Sequence, residues 1–264
     1  NIIVRSQQPP DSAGGNNQRA SFTNRFGLTR TDLRVLKEEF SPRVASIVPL
    51  KEVGGQVLRG AQRRTSQSYG TTPDLLAAAN ISIARGRYLT NDDIDESRMV
   101  CVIGSEIARL FFASHEDPLG DTIRIDSKAL TIVGILQPVG FAGGSGAIKL
   151  GRDLNLDIHI PITTANDAFG DIVYRFSSGS RTLNAVQVSE LYFTSNTRES
   201  VISDAELIRR AIDVRHPGLT DIAVIVPYEL LEDARKTAAI WQMVLGAIAG
   251  ISLLVGGIGI MNIM

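Results

Sequence analysis

Three histidines, one cysteine, a few paired acids and one glycine-rich loop are the groups this 264-residue chain offers for covalent or metal chemistry. His115, His159 and His216 fall in different predicted elements, and no His-Glu-x-x-His pair or nearby cysteine completes a zinc site. Cys101 sits inside Met99-Val100-Cys101-Val102-Ile103, a setting for a small core hydrophobe rather than a thiolate nucleophile. Val102-Ile103-Gly104-Ser105-Glu106 is not a G-x-S-x-G elbow, so Ser105 is expected to cap the helix that follows. Asp92-Asp93 reads as a pair of turn residues. The loop from Val139 to Gly146 lacks the residue order of a phosphate cradle, and Lys149 has no adjacent Ser or Thr for magnesium. We therefore assign no catalytic residue, metal ligand or cofactor site, and expect no enzymatic activity from the chain.

The charge balance, 27 basic against 28 acidic residues, gives no footprint for nucleic acid. Arg63-Arg64 and Arg209-Arg210 read as solvated faces. An apolar fraction of 44% is enough for a substantial core in one or two domains. A single cysteine rules out an intrachain disulfide and leaves the redox compartment open.

What the chain does carry is a run of 28 residues, Thr237 to Met264, without one charged side chain. A helix needs about 20 apolar residues to cross about 30 Å of hydrocarbon, whereas globular helices average about 11–12 residues, so a membrane span is expected. Trp241 fits an anchor at the membrane interface. The sequence predicts helix from Tyr228 to the end, and those 37 residues would measure roughly 55 Å, leaving a stalk outside the bilayer. Gly246 and Gly250 form a G-x-x-x-G pair with Gly257 close to the same face, a pattern that lets another helix approach closely. Gly256, Gly259 and Asn262 complete the set of helix-packing positions. Both ends of the chain look like cuts, so we expect a fragment of a longer membrane protein.

Upstream, the pattern is α+β. Asn1 to Ser6 reads as a strand and Gln7 to Asn24 as a loop. Thr29 or Thr31 can cap a helix with Leu33, Leu36 and Phe40 on one face, stopped by Pro42. Val44 to Leu50 reads as a strand, with Gly54-Gly55 as a hairpin turn before Gln56 to Leu58. Pro73 to Ala79 suits a short helix, and Asn91 to Glu96 an acidic turn. Met99 to Ile103, Thr122 to Ile125, Leu130 to Leu136, Asp157 to Pro161 and Ala185 to Thr194 read as strands, with a helix over Glu106 to Phe112. Asp204 to Val214 is an amphipathic helix with Leu207, Ile208, Ala211 and Ile212 inward, followed by a strand at Asp221 to Val226. A β-α-β order at both ends suggests two distant stretches completing one lobe around a strand-rich insertion.

Leu253-Leu-Val-Gly-Gly-Ile-Gly-Ile-Met-Asn-Ile-Met264 resembles the start of the second membrane helix in permeases of the MacB type, within the FtsX-like permeases of ABC transporters. Arg85-Gly-Arg with Thr90-Asn-Asp-Asp, Val100-Cys-Val-Ile-Gly-Ser, Asp117-Pro-Leu-Gly-Asp-Thr-Ile-Arg-Ile and Ile132-Val-Gly-Ile-Leu resemble the periplasmic core of the same family, while Val139 to Arg181 matches poorly. The resemblance implies a porter-like lobe from residues 1–82 and 185–227, an inserted strand-rich lobe over 83–184, and a stalk with the second transmembrane helix, the start of the FtsX-like permease domain, over 228–264. It places the chain in a bacterial inner membrane, with residues 1 to about 235 periplasmic or extracytoplasmic. Implied partners are a second permease copy or a paired permease, a cytoplasmic ABC ATPase and membrane lipid, with a periplasmic adaptor protein and an outer-membrane channel left open. The work implied is transmission of ATP-driven conformational change for efflux or export, with cargo unspecified. Arg235-Lys236 before the span is the sign expected on a cytoplasmic flank, so topology rests on the resemblance. The alternative is an adhesion or signalling ectodomain with one anchor helix, and the residues beyond Met264 would separate the two.

Overall fold

The computed structural model describes residues 1–9, 23–54, 56–113, 115–139, 153–177, 180–197, 199–226 and 241–250. Asn1–Ile225 forms one compact unit and Val226–Met264 a second. The first unit holds strands β1 (Ile2–Ser6), β2 (Thr23–Arg25), β3 (Val44–Val53), β4 (Gln56–Arg59), β5 (Gln62–Thr65), β6 (Gln67–Thr71), β7 (Ile83–Gly86) and β8 (Val100–Ile103). It continues with β9 (Thr122–Ile125), β10 (Lys128–Leu136), β11 (Asp157–Pro161), β12 (Ile172–Ser177), β13 (Ser180–Ala185), β14 (Glu190–Ser195) and β15 (Ile222–Ile225). Its helices are α1 (Arg30–Phe40), α2 (Leu75–Ala79), α3 (Asn91–Asp95), α4 (Ser105–Phe111), α5 (Ile162–Phe169) and α6 (Ser200–Arg215).

Twelve strands share one mixed sheet in the order β15-β1-β14-β3-β6-β11-β8-β10-β9-β4-β5, with β7 also on β10; β12, β13 and β2 make a separate three-stranded sheet. The large sheet must curl. Six strand spacings separate β6 from β5, about 29 Å in a flat sheet, yet Ser66 alone links them across two Cα steps of about 3.8 Å. Ser66 is buried at that seam, its hydroxyl donating to the Leu156 carbonyl at 2.6 Å. The same curl removes the hairpin expected at Gly54-Gly55. β3 pairs with β14 and β6, while β4 pairs with β5 and β9, so the chain turns a corner there instead of folding back on itself.

α1 starts where its chemistry demands. Thr29 accepts from the Asp32 amide while Asp32 accepts from the Thr29 amide, a reciprocal capping box. The same device turns the expected acidic turn into α3, with Thr90 as cap and Asp93 as its partner. Ser105 does not cap α4. Gly104 holds that position, and the Ser105 hydroxyl lies 2.9 Å from Asn155 Oδ1. At Gly104 the backbone passes so near the Asn155 carbonyl that a Cβ would overlap it. The strand expected over Ala185 to Thr194 is divided between β13 and β14, which belong to different sheets.

β8 is an apolar run because both of its faces are covered. Val102 enters a cluster with Leu50, Tyr69, Tyr88 and Leu136, whereas Cys101 and Ile103 enter another with Ile107, Ile123, Ile132 and Ile158. α1 packs on the sheet through Phe40, which meets Phe193 of β14 edge-on, ring centroids 6.2 Å apart; beside it α6, joined to α1 through Arg215 and Asp32, buries Val201, Ala205, Ile208 and Ile212. Leu207 and Ala211, expected inward, are only half-buried.

Candidate functional site

Among the described residues, those with reactive side chains do not converge on an open cleft. His159 on β11 is fully buried, with Nδ1 at 2.9 Å from the Tyr88 hydroxyl and Nε2 at 3.7 Å from Asp157 Oδ2. That cluster lies within the core, the Tyr88 and His159 rings edge to face. Cys101 is fully buried, and burial alone drives its thiol far above the ordinary range. Among the described residues no group of three or more His, Cys, Asp or Glu could hold a metal ion.

Charge is used instead to join elements that are distant in sequence. Lys51, fully buried in β3, reaches Asp171 Oδ1 at 2.8 Å and Asn166 Oδ1 at 3.0 Å, and Arg30 at the start of α1 meets the same carboxylate at 2.6 Å. Burial pulls the Lys51 ammonium down from its usual value, with Asp171 opposing. Burial pushes Asp171 up, but Lys51 and Arg30 outweigh it and hold the carboxyl below 3.8. One acid therefore ties β3 and α1 to the turn between α5 and β12.

A second joint lies between the start of α1 and the end of α6. Asp32 accepts from Arg215 Nε at 2.6 Å and stands 3.2 Å from His216 Nε2, while Asp221 accepts from the Gly27 amide at 2.8 Å and lies 3.5 Å from His216 Nδ1. Burial pushes the Asp32 carboxyl up, yet the bonds from Thr29, Arg215 and His216 hold it below 3.8. A third joint is Asp93. It is fully buried and accepts two bonds from Arg87, at 2.5 and 3.1 Å, with Arg98 at 3.6 Å. These joints can stiffen the unit.

The helix-packing residues assigned from sequence belong to the second unit. Residues 241–250 are helical, which puts Gly246 and Gly250 one turn apart on one face. A Cβ at either glycine would meet nothing within 4 Å, and Trp241 is 61% exposed. Gly256, Gly257, Gly259 and Asn262 lie outside the described residues, as does most of the uncharged run. Among the described residues no helix is long and apolar enough to cross a membrane. Sequence reasoning missed the joints. Lys51 inside Val48-Pro-Leu-Lys-Glu-Val was a visible signal, a charge within a buried strand, but nothing local points to Asp171.

The family model described as the MacB-like periplasmic core domain matches residues 1–192. The macrolide export ATP-binding/permease protein MacB of Rhodospirillum rubrum is 31% identical over 241 residues, covering 90% of this chain and 33% of that protein. The pyoverdine export ATP-binding/permease protein PvdT of Pseudomonas savastanoi is 31% identical over 227 residues, covering 84% of this chain and 31% of that protein. The chain thus spans about a third of the length of these curated relatives. In fold it is similar to the crystal structure of the periplasmic region of MacB from Actinobacillus actinomycetemcomitans, with TM-score 0.59, 17% identity, and 89% of this chain and 92% of that one covered. It is similar also to the extracellular domain of the noncanonic ABC-type transporter YknZ from Gram-positive bacteria, with TM-score 0.57, 13% identity, and 86% and 100% covered.

Proposed function

Because the chain belongs to the MacB-like periplasmic core domain family, we propose that it is the extracytoplasmic part, with an adjoining membrane helix, of an ABC exporter permease. What carries the proposal is the 241-residue match to the Rhodospirillum rubrum exporter taken together with the uncharged run from Thr237 to Met264. The proposed work is mechanical. ATP-driven movement, generated by a nucleotide-binding domain elsewhere in the same protein or in a partner, passes through the stalk into the periplasmic unit. In this scheme residues 1–82 and 185–227 form a porter-like lobe and 83–184 the inserted lobe, with the charge joints at Lys51, Asp32 and Asp93 keeping movement from being lost in local bending. The permease acts as a dimer or pair, with an adaptor and an outer-membrane channel as candidate partners. The face carrying Gly246, Gly250 and Gly257 packs against another membrane helix, and Trp241 sits at the interface.

The test substitutes Gly250→Leu and Gly257→Leu in the full-length exporter. Transport or dimer assembly falls while the outer unit keeps its fold, as judged by limited proteolysis. Unchanged transport in both variants at normal expression would overturn the packing role, and a water-exposed Leu253 in intact cells would overturn the membrane assignment.

A further inference from the structure

α1 and α6 lie side by side and leave between them a groove of about 510 Å³, within the usual range of small-molecule sites. Its apolar lining comes from Val35, Phe40, Leu207, Ala211 and Val214. The apolar arc of α6 is wider than its buried stripe: Ile208 and Ile212 are buried, Leu207 and Ala211 are half-buried, and Val214 is 81% exposed. The charges beside this lining are unequal. Arg215 is neutralised by Asp32 at 2.6 Å, but Arg43 and Arg210, both exposed, have no ion-pair partner among the described residues, and they face a single lining carboxylate, Glu39. An apolar trough with surplus guanidinium charge matches a molecule that is apolar along its length and anionic at one end, since guanidinium pairs with carboxylate through two parallel hydrogen bonds.

We propose that the α1/α6 groove binds a single-chain amphiphile with a carboxylate head, its alkyl chain against Leu207, Ala211 and Val214 and its head on Arg43 or Arg210. The site lies wholly within residues 1–225 and does not depend on the membrane assignment.

The native thiol makes a clean assay available, because Cys101 is fully buried and does not compete for a labelling reagent. Val214→Cys places a reactive thiol at the groove, and Leu110→Cys, on α4 and 42% exposed in the parent chain, supplies a distant control. The full chain, held in phosphatidylcholine nanodiscs, is treated with N-ethylmaleimide with and without decanoate. The expected result is slowed alkylation at position 214 and an unchanged rate at 110. Arg43→Gln with Arg210→Gln raises the decanoate concentration needed for protection by about ten-fold, and neutral decanol protects about ten-fold less well than decanoate. Protection at both thiols, equal protection by decanol, or no protection at 214 would each overturn the proposal. So would a position 214 already shielded before decanoate is added, which would assign the groove to a covering protein surface.

Discussion

Asp93→Asn gives the sharpest test of how a charge joint holds this fold. The carboxylate is fully buried. Burial pushes it up, but Arg87 and the amide and hydroxyl of Thr90 hold it at about 2 against an ordinary 3.8. A carboxyl depressed on folding contributes stability that is complete above 3.8 and is lost as pH falls through the folded value near 2. The gap of about 1.8 pH units corresponds to roughly 2.4 kcal/mol, which the 44% exposure of Arg87 trims to about 2 kcal/mol. Asparagine keeps one carbonyl for the Thr90 amide, so the capping bond survives while the charge is removed. Urea titration of the full chain in mild detergent, followed by near-ultraviolet circular dichroism, should show the variant weaker by about 2 kcal/mol near neutral pH. The difference should narrow below about pH 4 and close as both proteins are taken through about pH 2. A gap under about 0.5 kcal/mol at neutral pH, or one that stays constant down the pH series, would refute the reasoning.

Two further perturbations follow from the packing. Asp171→Ala strands the fully buried Lys51 ammonium and should cost about 3 kcal/mol, or about 6–12 °C in Tm by thermal melting. Adding Lys51→Met should recover most of that loss, and a double variant as weak as the single would show that the ammonium was not the source. Gly104→Ala drives a Cβ into the Asn155 carbonyl and should cost about 1–3 kcal/mol in the same melting assay, with a neutral result excluding the close approach.

Elements that announce themselves locally were legible in the sequence. Thr29, the spacing of Leu36 and Phe40, and Pro42 delimit α1, and the apolar run into Ile103 marks β8. Elements created by distant partners were not. Gln62-Arg-Arg-Thr-Ser-Gln-Ser-Tyr-Gly-Thr71 is polar and carries no alternation, yet it forms β5 and β6 because β4, β3 and β11 supply its pairing. α5 lacked a signal for the same reason, since it begins at Pro161 without a side-chain cap. Asp93 reads as a turn residue in the sequence because a capping box over five residues resembles a turn, and only the fold brings Arg87 against it. Of the assigned packing glycines, Gly246 and Gly250 fall within the helical residues 241–250, and their packing role remains a proposal.

The register of β1 also governs how early in synthesis the large sheet can close. Arg5 pairs with Glu190 and Ser6 with Ile222, so the opening strand has no mate until about 185 more residues have been translated. At ordinary elongation rates that wait lasts about 10–40 s. Throughout it, Ile2, Ile3 and Val4, all buried in the finished sheet, stay open to stray partners. The long-range register of β1 thus makes pairing of this strand a late event, and slower translation would lengthen the interval.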